Sequence, residues 1–145
     1  EKVISINKHV IEDIHQDIRT ISMILARIDN KEIPNVLTAS DVFVLPTLED
    51  NWPLSSLEAA ICGLPQIASI YNGGSGDLVK SKSDGLVIDP LNIEEFSLAI
   101  LSFLDAPVPR LTTKRRFELR QNYSPDSFAF RANESFFKII KGINI

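Results

Sequence analysis

The fold of this chain is decided by residues 41–79, which read DVFVLPTLEDNWPLSSLEAAICGLPQIASIYNGGSGDLV. Asp41 to Pro46 is nearly continuous in apolar character, as a central, buried parallel strand should be. Leu54 to Cys62 is typical of a helix, because Gly63 follows as a helix end. Gln66 to Tyr71 then predicts a second strand. Strands that alternate with helices predict a parallel sheet with right-handed crossovers.

The segments on either side continue this alternation. Upstream, the sequence predicts a strand at Val3–Ile6, a helix from Val10 to about Arg19, a strand after it, and a short helix capped by Asp29 or Asn30 with Glu32 and Pro34 in its first turn. Downstream, it predicts a strand at Leu86–Ile88 and then helices that begin with the capping box Asn92 and Glu95, at Thr112 or Thr113, and at Ser124–Pro125. We therefore predict an α/β fold: one Rossmann-like domain over residues 1–145, with a parallel sheet flanked by helices and a helical C-terminus.

Composition excludes several classes of protein. The chain has 145 residues, of which 44% are hydrophobic and 23% are charged, with a net charge of −4 and one cysteine. This hydrophobic content is too high for a disordered chain, and the sequence has no run of apolar residues long enough to span a membrane. The single Cys62 permits no internal disulfide. An acidic chain is also not expected to bind nucleic acid through its phosphates.

The candidate chemistry lies in two turns, Thr47–Ser56 and Asn72–Asp77. Ligands of open parallel sheets bind at the carboxyl ends of strands, where both turns begin. The backbone amides of Leu54, Ser55 and Ser56 are expected to be unpaired at a helix N-terminus, which is a favourable place for a phosphate or diphosphate. The carboxylates of Asp50 and Glu58 flank this helix start, and carboxylates suit the paired hydroxyls of a sugar. The pattern fits a sugar nucleotide.

The same residues resemble the donor-binding, C-terminal half of retaining glycosyltransferases with the GT-B fold (glycosyltransferase family 4). That family has a strand ending in proline, two acidic residues eight positions apart, a Gly-x-Pro turn, a strand, and then Gly-Gly with an acidic residue. Here Asp50 and Glu58 take the acidic positions, Gly73 and Gly74 form the glycine pair, and Asp77 follows them.

The resemblance implies a role for each of these positions. It places Asp50, the candidate catalytic residue, on the hydroxyls of the transferred sugar and Glu58 on the ribose of the nucleotide. The diphosphate would lie against the loop and helix start, with substrate contacts from Asn51, Trp52, Leu54, Ser55, Ser56, Gly73 and Gly74. The family requires no metal and no cofactor. Its chemistry resembles a front-face displacement in which the leaving diphosphate is stabilised electrostatically.

The resemblance also implies partners. The intact protein is expected to transfer a hexose from a nucleotide diphosphate sugar to a saccharide or a lipid-linked acceptor, in polysaccharide biosynthesis in the cytoplasm. The acceptor would be held by an N-terminal domain that this chain lacks, so the chain alone is expected to be inactive. No nucleic-acid partner is expected. Lys114–Arg116 is either a solvated helix face or a contact with anionic lipid at the inner face of the membrane.

Plainer interpretations remain open at several positions. Ser55 and Glu58 could form a capping box, in which Glu58 serves only the helix. Trp52 could be an aromatic lid that packs over the loop, and Gly73 and Gly74 could meet a positive-φ requirement of the turn. The early basic residues of the chain match no phosphate-binding pair of the family, which favours a second function: a degenerate, non-catalytic GT-B-like binding or scaffold module. A sugar-nucleotide epimerase or a phosphorylase on the same fold is a further alternative.

Overall fold

The structure is a computed structural model, and it describes residues 28–106 and 109–142. Backbone contacts divide the chain into two units, residues 1–36 and 37–145. The strand predicted at Val3–Ile6, the helix predicted from Val10 and the strand predicted after it lie outside the described residues. The prediction of one domain over 1–145 stays a prediction.

The described residues form six helices and three strands. In chain order these are α1 (Ile33–Ala39), β1 (Phe43–Leu45), α2 (Leu54–Cys62), β2 (Gln66–Ser69), α3 (Ser75–Leu78), β3 (Gly85–Ile88), α4 (Ile93–Asp105), α5 (Thr113–Asn122) and α6 (Pro125–Ile140). The short helix predicted after a cap at Asp29 or Asn30 begins only at Ile33, two or three residues later than predicted. The Asp29 carbonyl accepts the amide of Glu32, and this turn keeps Glu32 outside α1.

The three strands form a parallel sheet in the order β1-β2-β3. Phe43 lies opposite Gln66, and Gln66 lies opposite Gly85, so the carboxyl ends of the strands share one edge. All four residues of β2 are buried. The β2 strand is shorter than the predicted Gln66–Tyr71, because the Ser69 hydroxyl accepts the amide of Tyr71 and turns the chain. The α/β, Rossmann-like fold is confirmed.

The prediction of a central, buried first strand is not met in full. The β1 strand has three residues, all half-buried, instead of the predicted span from Asp41 to Pro46. Within residues 28–106 and 109–142, β1 pairs with β2 alone.

The sheet separates two apolar layers. On one face, Ile67 and Ile88 pack with Ala99 and Phe103 of α4. The neighbouring β2 residue Gln66 points to the opposite face, where its side-chain amide donates to the carbonyl of Ser56 in α2. That second layer contains a cluster of Leu57, Ala60, Leu78, Leu111 and Leu119, which joins α2, α3 and α5. Helices therefore cover both faces of the sheet.

Helix ends follow the predicted signals. Gly63 closes α2 in the left-handed conformation at φ 93°, which glycine adopts without strain. Asn92 accepts the amide of Glu95 at the start of α4. Thr112, one of the two predicted candidates, caps α5. Ser124 caps α6, with Pro125 in its first turn. In the described part of the chain, each helix is too short or too polar to cross a membrane.

Candidate functional site

The two predicted turns meet beyond the carboxyl ends of β1 and β2. Asp50 and Asn72 form a parallel bridge outside the regular strands. The amide of Asp50 donates to the carbonyl of Tyr71 at 3.4 Å, and the amide of Gly73 donates to the carbonyl of Asp50 at 2.9 Å. Main-chain hydrogen bonds therefore join the two loops into one edge, as the sheet topology predicted.

Close approach explains the glycine pair. Neither Gly73 nor Gly74 has a positive φ, so the positive-φ interpretation of these residues is wrong. A Cβ atom at position 73 would lie 2.1 Å from the carbonyl oxygen of Asn51, and one at position 74 would lie 3.2 Å from the indole nitrogen of Trp52. The second loop can pass against the first only because position 73 carries no side chain, and a side chain at position 74 would crowd the indole of Trp52.

Asp50 is half-buried and shapes its own loop. Its Oδ1 accepts the amide of Trp52 at 3.0 Å, which closes an Asx turn. Its other carboxylate oxygen accepts no hydrogen bond from the described residues and stays available to a ligand. Asn51 is exposed at the tip of the loop.

The N-terminus of α2 presents two free amides. Pro53 is the N-cap residue, and no side chain caps the helix. Among the described residues, the amides of Leu54 and Ser55 have no acceptor, as expected. The amide of Ser56 donates to the carbonyl of Pro53 at 3.2 Å, so the prediction of a third free amide is wrong. Two aligned donors at the positive end of a helix still favour an anion there.

Glu58 does not take part in a capping box. Because Pro53 is the N-cap residue, Ser55 already lies inside the helix and cannot serve as its cap. The Glu58 side chain is exposed and makes no hydrogen bond or ion pair within residues 28–106 and 109–142. It lies one turn after Leu54, which places its carboxylate on the same helix face as that free amide.

Ser56 lies behind the site, fully buried. Its hydroxyl accepts the side-chain amide of Asn72 at 3.3 Å. Asn72 is 3% exposed, and its Oδ1 accepts the amide of Gly74 at 2.8 Å. Asn72 therefore joins the first turn of α2 to the glycine pair. A role for Ser56 in substrate binding stays a prediction.

Trp52 links the loop to distant parts of the fold, which neither the lid interpretation nor the substrate-contact interpretation predicted. Its Nε1 donates to Oδ2 of Asp77 at 3.3 Å. Its ring centroid lies 4.9 Å from that of Tyr123, with the planes tilted by 41°. Burial raises the pKa of Tyr123, and the negative charge of Asp77 raises it further. The phenol is therefore neutral at physiological pH.

Sequence reasoning missed the roles of Asn72, Asp77 and Tyr123. Asn72 has a recognisable signal, because an asparagine directly before two glycines is typical of an Asx turn. Asp77 stands in the motif that carried the resemblance, but nothing in that motif predicts a bond to Trp52. Tyr123 is remote in sequence and has no signal. No group of three metal-ligating side chains occurs in the part of the chain that the structure describes.

Comparison with known proteins assigns the family. Residues 17–124 match the family described as "Glycosyl transferases group 1". The chain is 45% identical over 83 residues to UDP-Gal:alpha-D-GlcNAc-diphosphoundecaprenol alpha-1,3-galactosyltransferase of Escherichia coli, a match covering 57% of this chain and 21% of that protein. It is 34% identical over 86 residues to 2-deoxystreptamine glucosyltransferase of Streptomyces kanamyceticus, covering 59% of this chain and 22% of that protein.

A solved structure shares the fold. Sucrose-phosphate synthase from Thermosynechococcus elongatus superposes with a TM-score of 0.69 at 21% identity, over 83% of this chain and 30% of that chain. The chain thus spans about a third or less of the relatives it matches. The family match covers most of its length, and the chain belongs to the glycosyl transferases group 1 family.

Proposed function

We propose that the chain is the donor-binding part of a retaining glycosyltransferase, which moves a hexose from a nucleotide diphosphate sugar to a saccharide or lipid-linked acceptor. One observation carries the proposal: the free amides of Leu54 and Ser55 lie at the start of α2, on an edge that also bears Asp50 and Glu58. A diphosphate needs the amides, and a ribose and a sugar each need a carboxylate.

Each part of the donor has a partner in this arrangement. The diphosphate accepts hydrogen bonds from the amides of Leu54 and Ser55, where the helix dipole also favours negative charge. Glu58, which has no competing partner in the described chain, accepts the ribose hydroxyls. Asp50 offers its unused oxygen to the hydroxyls of the sugar. Each charge-assisted bond of this kind contributes about 1.5–3 kcal/mol.

The same groups account for the chemistry. As the bond between the sugar and the diphosphate breaks, negative charge grows on the leaving phosphate. Donors already fixed on that phosphate stabilise the growing charge without reorganising, which lowers the barrier. The proposal requires no metal and no cofactor, because the main-chain dipoles supply the positive end of the field.

The relatives suggest the donor and acceptor to test first. The name of the Escherichia coli relative specifies UDP-Gal as donor and a diphosphoundecaprenol-linked sugar as acceptor. We therefore propose UDP-galactose as the first donor and a lipid-diphosphate-linked saccharide as the first acceptor. Such an acceptor is reached at the cytoplasmic face of a membrane, so peripheral contact there belongs to the proposal.

A nucleotide titration tests the donor site. UDP, GDP, ADP and UMP are added to the chain while amide chemical shifts are followed. We expect UDP to move the Leu54 and Ser55 amides and UMP, which lacks the second phosphate, to move them less. Glu58→Ala should weaken the response, whereas Glu94→Ala, which removes an exposed acid on α4, should not. If no diphosphate moves these amides, in the chain or in a longer protein that contains it, the proposal is overturned in favour of a non-catalytic binding module.

A further inference from the structure

The indole of Trp52 is held at two places. Its N–H donates to Oδ2 of Asp77 at 3.3 Å, and its ring packs against Tyr123 with centroids 4.9 Å apart. Trp52 directly precedes Pro53, the N-cap residue of α2. The two contacts of the indole therefore restrain the main chain directly before α2.

The main chain that carries Asp77 is itself anchored. Nη2 of Arg115 in α5 donates to the carbonyl of Asp77 at 3.2 Å and to that of Leu78 at 3.1 Å. Nε of the same guanidinium lies 3.5 Å from Oδ1 of Asp84, which is 5% exposed. The Asp77 carboxylate is thus presented to Trp52 from a backbone held by α5.

The first loop has no other side-chain anchor of this kind within residues 28–106 and 109–142. Its remaining links are the Asx turn inside the loop and the main-chain hydrogen bonds between Asp50 and its neighbours Tyr71 and Gly73. These bonds fix the loop at Asp50. Between Asp50 and α2, and among the described residues, the bond from Trp52 to Asp77 is the only side-chain hydrogen bond to a distant element, beside the packing of the same indole on Tyr123.

We propose that Asp77 is a positioning residue of the donor site, which acts through the indole N–H of Trp52 to hold residues 51–53 and to steady the first turn of α2, where the amides of Leu54 and Ser55 lie. That these amides bind the diphosphate of a donor rests on the proposed function. The positioning is a property of the free protein. Without the bond, the indole can rotate against the ring of Tyr123. A ligand that binds must then order the loop, and the free energy spent on ordering weakens its binding.

The first test uses the free protein, without nucleotide. Trp52 is the only tryptophan of the chain, so one indole N–H resonance and the whole tryptophan emission report on it. In Asp77→Ala we expect faster solvent exchange of that indole proton and broadened amides at Leu54 and Ser55. Asp77→Asn, whose side-chain oxygen can still accept the bond, should restore both signals. Asp41→Ala removes another exposed acid and should change neither.

The second test is a double-mutant cycle on the dissociation constant of UDP. Trp52→Phe keeps an aromatic face for Tyr123 but removes the N–H. We expect Asp77→Ala and Trp52→Phe each to weaken UDP binding by about two- to ten-fold, and the double variant to be no weaker than the weaker single variant. A general loss of structure would not be rescued by Asp77→Asn.

The outcomes separate the two proposals. If the indole and the two amides are unchanged in Asp77→Ala, or if the two substitutions weaken binding additively, the positioning role is wrong. If Asp77→Ala loosens the indole and the amides but no nucleoside diphosphate binds to the parent chain or to a longer protein that contains it, the positioning role stands and the donor-site proposal fails.

Discussion

The carbonyl oxygen of Asn51 occupies the space where a side chain at position 73 would begin. A Cβ atom on Gly73 would lie 2.1 Å from that oxygen, well inside the sum of their van der Waals radii. The contact is between two backbones, so no side-chain rotation relieves it. The loop that bears Asp50 therefore fits against the loop after β2 only when position 73 is glycine.

Gly73→Ala should separate the two loops. We expect it to lower the free energy of unfolding by about 1–3 kcal/mol, the usual cost of overpacking, and to abolish UDP binding because Asp50 loses its hydrogen bond from the Gly73 amide. Urea unfolding and UDP titration measure the two effects. Gly76→Ala is the matched control, since nothing lies within 4 Å of a Cβ atom there. Equal effects of the two substitutions would contradict this account of the glycine pair.

Glu58→Ala should change binding without changing stability. Because Glu58 caps nothing, we expect the free energy of unfolding to stay within about 0.5 kcal/mol of the parent value. Loss of charge-assisted bonds to the ribose should weaken UDP binding by about ten-fold or more. The parent should bind a 2′-deoxy analogue of UDP more weakly than it binds UDP, whereas the Glu58→Ala variant should bind the two nucleotides with equal affinity. A stability loss near 1 kcal/mol with unchanged UDP affinity would instead restore the capping interpretation.

Asp50→Asn should weaken the binding of the sugar without weakening the binding of the nucleotide. The amide oxygen can still accept the Trp52 amide, so the loop keeps its Asx turn. The side chain loses its charge and with it the stronger bonds to sugar hydroxyls. We expect unchanged affinity for UDP and weaker affinity for UDP-galactose, both measured by calorimetry. Equal weakening for the two ligands would show that Asp50 acts on the loop alone.

Asn72→Ala should lower the free energy of unfolding, because Asn72 bonds two other buried polar groups. Removing the side chain leaves the buried Ser56 hydroxyl and the Gly74 amide without their partner. Unpaired buried polar groups cost about 1–3 kcal/mol, and we expect a loss of that size in urea unfolding. Asn133→Ala, at an exposed position of α6, should leave stability unchanged. An unchanged denaturation midpoint in Asn72→Ala would refute the role of Asn72 as the link between α2 and the glycine pair.

Tyr123 should make stability fall at alkaline pH. Its folded-state pKa is raised above the ordinary value of 10.0, first by burial and then by Asp77. The unfolded phenol therefore loses its proton at lower pH than the folded one. The stabilisation is complete below about pH 10 and is lost as the pH rises through the folded-state pKa. Denaturation midpoints measured from about pH 9 to 11 should fall less in Tyr123→Phe than in the parent; parallel pH profiles would contradict the shift.

The architecture could be predicted because its signals are local. Buried strands appear as apolar runs, and helix ends appear as Gly63, Asn92 or Ser124. The same reasoning failed where partners distant in sequence decide the outcome. The β1 strand is shorter and less buried than its apolar run suggests. Ser69 ends β2 early through a side-chain bond that hydropathy cannot reveal.

The candidate site shows the same division. The helix start and the two acidic residues could be located from their spacing. The Ser56 amide was wrongly predicted to be free, because it donates a hydrogen bond to the carbonyl of Pro53. The explanation of Gly73 was wrong because the neighbour that excludes a side chain there lies more than twenty positions away in the sequence. No local pattern could pair Trp52 with Asp77 or Tyr123, since those contacts exist only once α3 and α5 have packed.

The two loops are held together by main-chain hydrogen bonds, which do not depend on the side chains exposed in the first loop. Leu48, Glu49 and Asn51 are exposed, and in the described part of the chain no hydrogen bond that joins the loops uses their side chains. Their identities can therefore change without rebuilding the edge on which a donor would rest. A library randomised at these three positions should keep its fold in most members while its preference among sugars drifts, which makes this loop the natural place to redirect such a protein to a new donor.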